Sequence, residues 1–193
     1  MGQPDQVLGD DGLSFTRRDG LNWAELSVTA ADQLDETGVR YPSTGLCLAA
    51  TAVQNINALA SDNLILWDTH QAEWGSDVFH RTTSDTYKIT ILTAGTYEMS
   101  ASVAFDALSS SSARYNGIAR FNLNGTTDFG PEGKGGYVRD TSGHTEASVH
   151  IQTFPKTFAA MDYIYLKVDR ESNPTGTINT TPGASALYIR RIA

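Results

Sequence analysis

The longest regular pattern in the chain runs from Thr86 to Phe105, where apolar and polar residues alternate on both sides of a turn signal. In the second half of this stretch the apolar residues share one face: Tyr97, Met99, Ala101, Val103 and Phe105. Successive side chains of a strand point to opposite faces of a sheet, so a period of two predicts β-strands. Because Gly95 marks the bend, the pattern predicts two antiparallel strands joined by a turn.

Shorter runs of the same kind predict further strands at residues 46–50, 64–67, 115–123, 147–154, 162–168 and 186–192. The pair Asn124-Gly125 predicts a hairpin turn. Polar or glycine-rich segments predict loops at residues 68–83, 130–136, 155–157 and 172–185. About eight strands without a convincing helix predict an all-β fold, a two-sheet antiparallel jelly-roll sandwich. Its expected core contains Tyr97, Met99, Val103, Phe121, Val149, Ile151, Ile164 and Leu166.

Residues 1–43 differ from the rest and carry five of the eight net negative charges. Their patterns predict only short strands at residues 13–15 and 23–28 and one helical turn between Thr29 and Gly38. Isolated apolar residues lie between charged ones: Leu13, Phe15, Leu21, Trp23 and Leu26. This spacing cannot build a core, but it suits short strands that insert side chains into pockets of a partner. We therefore expect an N-terminal anchoring arm (1–43) before a jelly-roll head (44–193), with a trimerisation stalk or a flexible tail as alternatives.

The net charge of -8 argues against nucleic acid and against an anionic membrane surface as partners. The single cysteine, Cys47, excludes an internal disulfide and lies in an apolar run, so we expect a buried, inert thiol. The first residues are acidic and polar and do not resemble a secretory signal peptide. The apolar runs are too short to cross a bilayer.

Candidate chemistry is sparse. The four histidines, His70, His80, His144 and His150, lie in separate segments without a metal-binding or catalytic spacing. Weak metal candidates are Asp68, His70 and Asp77 as one group, and Asp128 with Glu132 as loop ligands for Ca²⁺. We therefore expect no catalytic residue, no cofactor and no metal, and we expect that the protein is not an enzyme.

The order of these motifs is similar to that of a known family over about residues 44–193. Residues 94–97, Ala-Gly-Thr-Tyr, lead into a long strand, and a later strand ends in Asn124-Gly125. A pair of strands split by a short turn follows at 145–168, and a last strand ends almost at the C-terminus. This order resembles the jelly-roll head shared by tumour necrosis factor and the globular head of complement's first component. The resemblance implies a homotrimer.

We predict that Tyr163, Tyr165 and Tyr188 form the trimer interface, since aromatic residues on partly wet sheet faces suit subunit contacts. An ordinary half-exposed sheet face is the alternative interpretation.

An irregular arm before such a head resembles the virion proteins of bacteriophages, among them capsid decoration proteins, head fibres and tail-fibre tips. The resemblance implies a structural protein of a phage particle, a trimeric capsid decoration (cement) or head-fibre protein anchored by its arm. Its partner would be the major capsid protein or another virion protein, with a host-surface receptor as a further candidate. We expect it on the capsid surface of the virion, made in the host cytoplasm and not secreted. The alternatives are a receptor-binding tail-fibre tip that contacts a host-surface glycan or protein, and a soluble ligand of the animal type.

Overall fold

The structure is a computed structural model that describes residues 44–57, 63–107, 114–139, 145–170 and 176–192, together with short strands within residues 1–43. These short strands are β1 (Val7–Leu8), β2 (Ser14–Phe15), β3 (Asp32–Leu34) and β4 (Arg40–Pro42). β1 pairs with β2 and β3 with β4, both antiparallel. The predicted helical turn after Thr29 is wrong at residues 32–34, which are extended. The predicted strand at 23–28 lies outside the described residues.

The head is built from twelve further strands in the part of the chain that the structure describes. They are β5 (Gly45–Ala50), β6 (Asn63–Leu64), β7 (Thr69–Trp74), β8 (Val78–His80), β9 (Ile89–Ile91), β10 (Gly95–Ala107), β11 (Arg114–Leu123), β12 (Thr127–Arg139), β13 (Glu146–Phe158), β14 (Tyr163–Arg170), β15 (Ile178–Thr180) and β16 (Ser185–Arg191). No helix occurs among these residues, and so none that could span a membrane.

Two six-stranded antiparallel sheets form the sandwich. The first sheet has the order β13-β10-β16-β5-β7, with β15 also paired to β10. The second has the order β12-β11-β14-β9-β8, with β6 also paired to β14. The predicted all-β, two-sheet antiparallel sandwich is therefore confirmed.

The predicted hairpin between residues 86 and 105 is wrong, although both of its strands exist. β9 pairs with β8 and β14 in the second sheet, whereas β10 pairs with β13, β15 and β16 in the first. The segment before Gly95 therefore carries the chain from one sheet to the other. The hairpin predicted at Asn124-Gly125 is confirmed between β11 and β12, and both residues have the positive φ (54° and 75°) that a tight hairpin turn requires.

The core between the sheets contains all eight residues predicted for it, each at most 3% exposed. β10 shows why: its side chains alternate between buried and half-buried along the whole strand. Aromatic rings fill the centre, with the ring of Phe121 5.9 Å from Phe129 and 5.8 Å from Phe154. Such centroid separations are typical of packed aromatic pairs.

Several predicted loops are strands. Residues 68–83 contain β7 and β8, residues 130–136 belong to β12, and residues 155–157 continue β13. The turn between β13 and β14 follows instead at residues 159–162, where Met161 has a φ of 69°. Within the predicted loop 172–185 the structure describes the short strand β15. Long strands therefore extend through positions whose sequence suggested turns.

Candidate functional site

The outer face of the first sheet has a centre of small, uncharged side chains. We call it the serine face and define it by Ser100, Ser102, Ala104, Ala186, Tyr188 and Cys47, all half-buried. These residues alternate along β5, β10 and β16 with side chains that point into the core. Because the side chains on neighbouring strands are small, they project little from the centre of this outer surface.

Strand register fixes the pattern of the serine face. Tyr188 stands directly opposite Ser100 on one side and Cys47 on the other. Ala186 stands opposite Ser102 and Ala49 in the next row. A single large ring therefore rises from a surface of small residues, and no charged side chain interrupts these two rows.

Trp74 extends this surface toward the edge strand β7. Its ring centroid lies 6.3 Å from that of Tyr188, and it stands opposite Gly45 in the pairing of β5 with β7. A Cβ at Gly45 would lie 2.3 Å from Trp74 Cζ2, so the indole covers this position and only glycine fits there. Two aromatic rings thus lie side by side at the rim of the serine face.

Charge lies at both ends of the serine face: Arg190 Nη2 is 2.7 Å from Glu98 Oε1 at one end, and Asp106 stands opposite Glu146 at the other. Burial raises the pKa of the Tyr188 hydroxyl, and Glu98 and Cys47 add to the effect while Arg190 opposes it. Burial also raises the pKa of the Cys47 thiol, whose Sγ lies 3.6 Å from Gln71 Oε1. Cys47 is only half-buried and faces outward, so the prediction of a buried thiol is wrong, although its raised pKa disfavours the reactive thiolate.

The outer face of the second sheet, which we call the tyrosine face, has the opposite character. Tyr163 stacks beside Tyr165 at 6.3 Å, and Tyr87 meets Tyr165 edge-on at 5.8 Å. The ammonium group of Lys88 lies 4.3 Å from the centre of the Tyr163 ring. These rings contact one another and a cation within the same chain, so much of their surface is already covered.

Beside these rings the tyrosine face carries charged groups that neutralise one another. Arg120 binds both Glu132 and Asp169, and Lys134 Nζ lies 2.9 Å from Glu132 Oε1. Lys167 is 7% exposed and places its Nζ 2.9 Å from Asp128 Oδ1, an oxygen that also accepts from Asn122 Nδ2 at 2.7 Å. Acidic and basic side chains therefore alternate across the sheet in matched pairs.

This pairing bears on the candidate Ca²⁺ ligands Asp128 and Glu132. Hydrogen bonds and the nearby cations Lys167 and Arg120 lower the pKa of Asp128 although burial alone would raise it. The hydrogen bond from Lys134 is the main cause of the lowered pKa of Glu132, and Arg120 adds to it. A shallow cleft of about 170 Å³ lies between them, lined by Arg120, Asp128, Phe129, Gly130, Pro131 and Glu132. Its carboxylates already bind cationic side chains, so they are poorly suited to hold a metal as well.

The histidines lie differently from what their separation in sequence suggested. His70 on β7 and His80 on β8 are hydrogen-bonded, with His70 Nε2 2.9 Å from His80 Nδ1. The carboxylates of Asp68 and Asp77 have other partners, Thr51 and Arg191, so the group of Asp68, His70 and Asp77 does not form one site. His150 is exposed and bonds Ser148, and His144 lies outside the described residues. Across the described part of the chain, no cluster of three or more metal-ligating side chains exists.

The three tyrosines predicted for the trimer interface do not share one surface. Tyr188 belongs to the serine face, whereas Tyr163 and Tyr165 belong to the tyrosine face on the other sheet. Sequence reasoning did not place Trp74 on this surface, since residues 68–83 showed no strand pattern. It therefore also missed the contact of Trp74 with Gly45. Of the predicted arm contacts, Phe15 lies in β2, and Leu13, Leu21, Trp23 and Leu26 lie outside the described residues. These interface and arm assignments, and the boundary after residue 43, stay predictions.

Comparisons with known proteins give likeness in structure alone. No family model matches the sequence, and no curated protein matches it. A crystal structure of murine APRIL is similar with a TM-score of 0.53 and 11% identity, covering 78% of this chain and 99% of APRIL. A second murine APRIL structure gives a TM-score of 0.51 at 12% identity and the same coverage. The globular domain of zebrafish complement 1qA has a TM-score of 0.48 at 9% identity, covering 77% of this chain and 96% of that domain. The APRIL match shows that residues of the head adopt the jelly-roll fold that the sequence resemblance implied.

Proposed function

We propose that the protein is a structural component of a bacteriophage particle, a trimeric capsid decoration or head-fibre protein. The arm of residues 1–43 binds the major capsid protein or another virion protein, and the jelly-roll head projects from the capsid surface. The protein is made in the host cytoplasm and acts as a non-enzymatic part of the virion. The observation that carries the trimeric head is the serine face.

The serine face has the properties of a subunit interface. Interface cores are depleted in charge and enriched in aromatic residues, and the centre of this face combines Tyr188 and Trp74 with small residues. Its charged residues lie at the two ends, where Glu98 pairs with Arg190 and where Asp106 stands opposite Glu146. The tyrosine face fits less well, because its ion pairs would have to be desolvated on association. We therefore assign the trimer contact to Tyr188 and place Tyr163 and Tyr165 away from it.

Light scattering on the full chain at micromolar concentration tests the assembly. We expect three times the chain mass of 20.8 kDa. The variant Tyr188→Arg should give the monomer mass, since it would bury an unpaired charge at the contact. Tyr163→Arg makes the same change on the other sheet and should remain a trimer. A monomer mass for the unaltered chain contradicts the proposal, and dissociation by Tyr163→Arg alone would move the interface to the tyrosine face.

Deletion of residues 1–43 tests attachment. We expect a folded, trimeric head that no longer joins particles, seen as loss of surface projections in negatively stained virions. The full-length chain added to the same particles is the control. A truncated head that still decorates particles at full occupancy would place attachment in the jelly roll. Projections at the fibre tips rather than on the capsid would favour the alternative of a receptor-binding tail-fibre tip.

A further inference from the structure

A chain of hydrogen bonds joins the two sheets at one edge of the sandwich. β7 is the edge strand of the first sheet, and β8 is the edge strand of the second. His70 Nδ1 lies 2.8 Å from Glu73 Oε2, His70 Nε2 lies 2.9 Å from His80 Nδ1, and His80 Nε2 lies 2.9 Å from the carbonyl oxygen of Thr86. The contact between the two rings therefore bridges one sheet to the other.

The number of hydrogens on the two imidazole rings follows from the acceptors in this hydrogen-bond network. The carboxylate of Glu73 and the carbonyl of Thr86 accept, so each facing ring nitrogen carries a hydrogen. The bond between the rings needs one more hydrogen, on either His70 Nε2 or His80 Nδ1. Three ring hydrogens on two imidazoles amount to one positive charge. The pair thus holds one extra proton and one positive charge, next to the carboxylate of Glu73.

Burial favours the neutral form of His80. Burial is the largest cause that lowers the pKa of His80, and the charge of His70 adds to it, against the Thr86 hydrogen bond and Glu73. His80 is 5% exposed, whereas the His70 side chain is 25% exposed. His70 Nε2 then donates to His80 Nδ1, and His80 Nε2 donates to the Thr86 carbonyl.

Other charged groups near this edge have partners elsewhere. On the side of β5 and β7, the carboxylate of Asp68 accepts from Thr51 and Ala52, and Cys47 lies next to Gln71. On the side of β8 and the loop after it, Arg81 lies over the ring of Phe79 and Lys88 over that of Tyr163. Asp85 lies in that same loop, and only its backbone carbonyl, which accepts the Lys88 amide, has a described contact. Glu73 is therefore the acidic partner of the histidine pair.

We propose that His70 and His80 form a proton-dependent clamp that joins the two edge strands β7 and β8 at neutral pH and releases them in acid and in alkali. At alkaline pH the pair loses its extra proton, and one of the three hydrogen bonds cannot form. At acidic pH both rings become cationic, and two N–H groups face each other across the 2.9 Å contact.

The clamp predicts a stability maximum in the neutral range. In the unfolded chain each histidine loses its proton near pH 6.5. Above that pH the folded pair binds one proton more than the unfolded chain, so stability falls as the pH rises until the pair is neutral. Below it the unfolded chain binds one proton more than the folded pair, so stability falls as the pH falls.

Nitrogen-15 NMR of the imidazole rings in the full-length protein tests the proton count. At pH 7 we expect three protonated nitrogens among the four of His70 and His80, with His80 protonated at Nε2. His150, which bonds only a serine hydroxyl among the described contacts, serves as the reference for an ordinary ring. Two neutral rings with two protons at pH 7 would overturn the proposal.

Thermal unfolding from pH 5 to pH 9 tests the consequence. We expect the melting temperature to fall by about 2–4 °C between pH 7 and pH 9, the effect of one lost hydrogen bond in a chain of this size. In His70→Gln the amide can still donate to His80 but does not titrate, so this fall should vanish. The matched variant His150→Gln should keep it. A fall of the same size in His70→Gln as in the unaltered protein would contradict the clamp.

Discussion

The backbone of Gly133 lies against the carbonyl oxygen of His150, so closely that a Cβ at position 133 would stand 2.5 Å from that oxygen. Gly133 lies on β12 and His150 on β13, which are edge strands of different sheets. The sandwich is thus closed on this side by backbone contact, and on the opposite side by the side chains of His70 and His80. The backbone contact between β12 and β13 is possible because Gly133 has no side chain.

Gly133→Ala should therefore open the β12–β13 side. The added methyl group cannot be relieved by a rotamer change, because its neighbour is backbone, and overpacking of this kind costs about 1–3 kcal/mol. Chemical denaturation should show this loss in the free energy of unfolding. Lys134→Ala alters an exposed neighbour on the same strand and should change stability by less than about 1 kcal/mol. Equal stability of Gly133→Ala and the unaltered protein would show that β12 moves freely away from β13.

Phe121 lies in the core among other aromatic rings, and its loss should cost stability. It is 0% exposed and packs against Phe129 and Phe154 between the two sheets. Phe121→Ala should cost on the order of 3–5 kcal/mol, the sum of the lost transfer free energy and the cavity left behind. The melting temperature measures this, with Tyr137→Ala, an exposed aromatic residue, as the control. An unchanged melting temperature for Phe121→Ala would contradict the packing described for the core.

β12 shows why part of the fold was not visible in the sequence. Glycines at 130, 133, 135 and 136 are typical of a loop, and the sequence pattern predicted one. In the fold, Gly130 leaves space for the ring of Phe154 and Gly133 for the backbone of β13. Both requirements come from residues distant in sequence, so no local pattern could reveal them. The core strands, in contrast, were predictable because each alternates within its own sequence.

The same limit applies to connections and to sites. A glycine turn between two alternating runs predicts a hairpin, but the bend before Gly95 joins strands of different sheets, and pairing partners decide which occurs. β7 lacks alternation because all six of its residues are at least partly exposed at the sheet edge. The serine face was predictable only through Tyr188. His70 and His80 are in contact only because the two edge strands meet. Their separation of ten residues in the sequence does not predict this contact.

Asp77 connects the turn after β7 to the last strand and should make the protein sensitive to acid. Burial would raise the pKa of this carboxyl, but hydrogen bonds from Thr93, Thr44 and Arg191 outweigh it and lower the pKa. Its Oδ2 lies 3.2 Å from Arg191 Nη1. The stabilisation is thus fully present above the unfolded carboxyl pKa near 4 and is lost as the pH falls through the lower folded value.

Asp77→Asn should cost about 1–3 kcal/mol at neutral pH, the range for hydrogen bonds to a charged group. The difference from the unaltered protein should shrink as the pH falls below about 4, where the unfolded carboxyl is protonated before the folded one. Urea denaturation at pH 7 and pH 3 measures both values. Glu146→Gln, at an exposed position, should leave the two curves unchanged. A difference that is the same at both pH values would mean that the charge of Asp77 is not what stabilises this turn.

The aromatic residues of the arm should dominate attachment to the particle, if residues 1–43 bind there as proposed. Aromatic anchors are frequent binding hot spots, so Trp23→Ala and Phe15→Ala should each weaken binding of the full-length protein by about 2 kcal/mol or more. The polar neighbour Thr16→Ala is the matched control and should change binding little. The arm carries five of the eight net negative charges, which would steer it toward a basic surface, so binding should also weaken as salt is raised from low to physiological concentration. Titration of purified particles with the labelled protein at two salt concentrations measures both effects. If neither salt nor either aromatic substitution weakens binding, residues 1–43 do not hold the head on the particle.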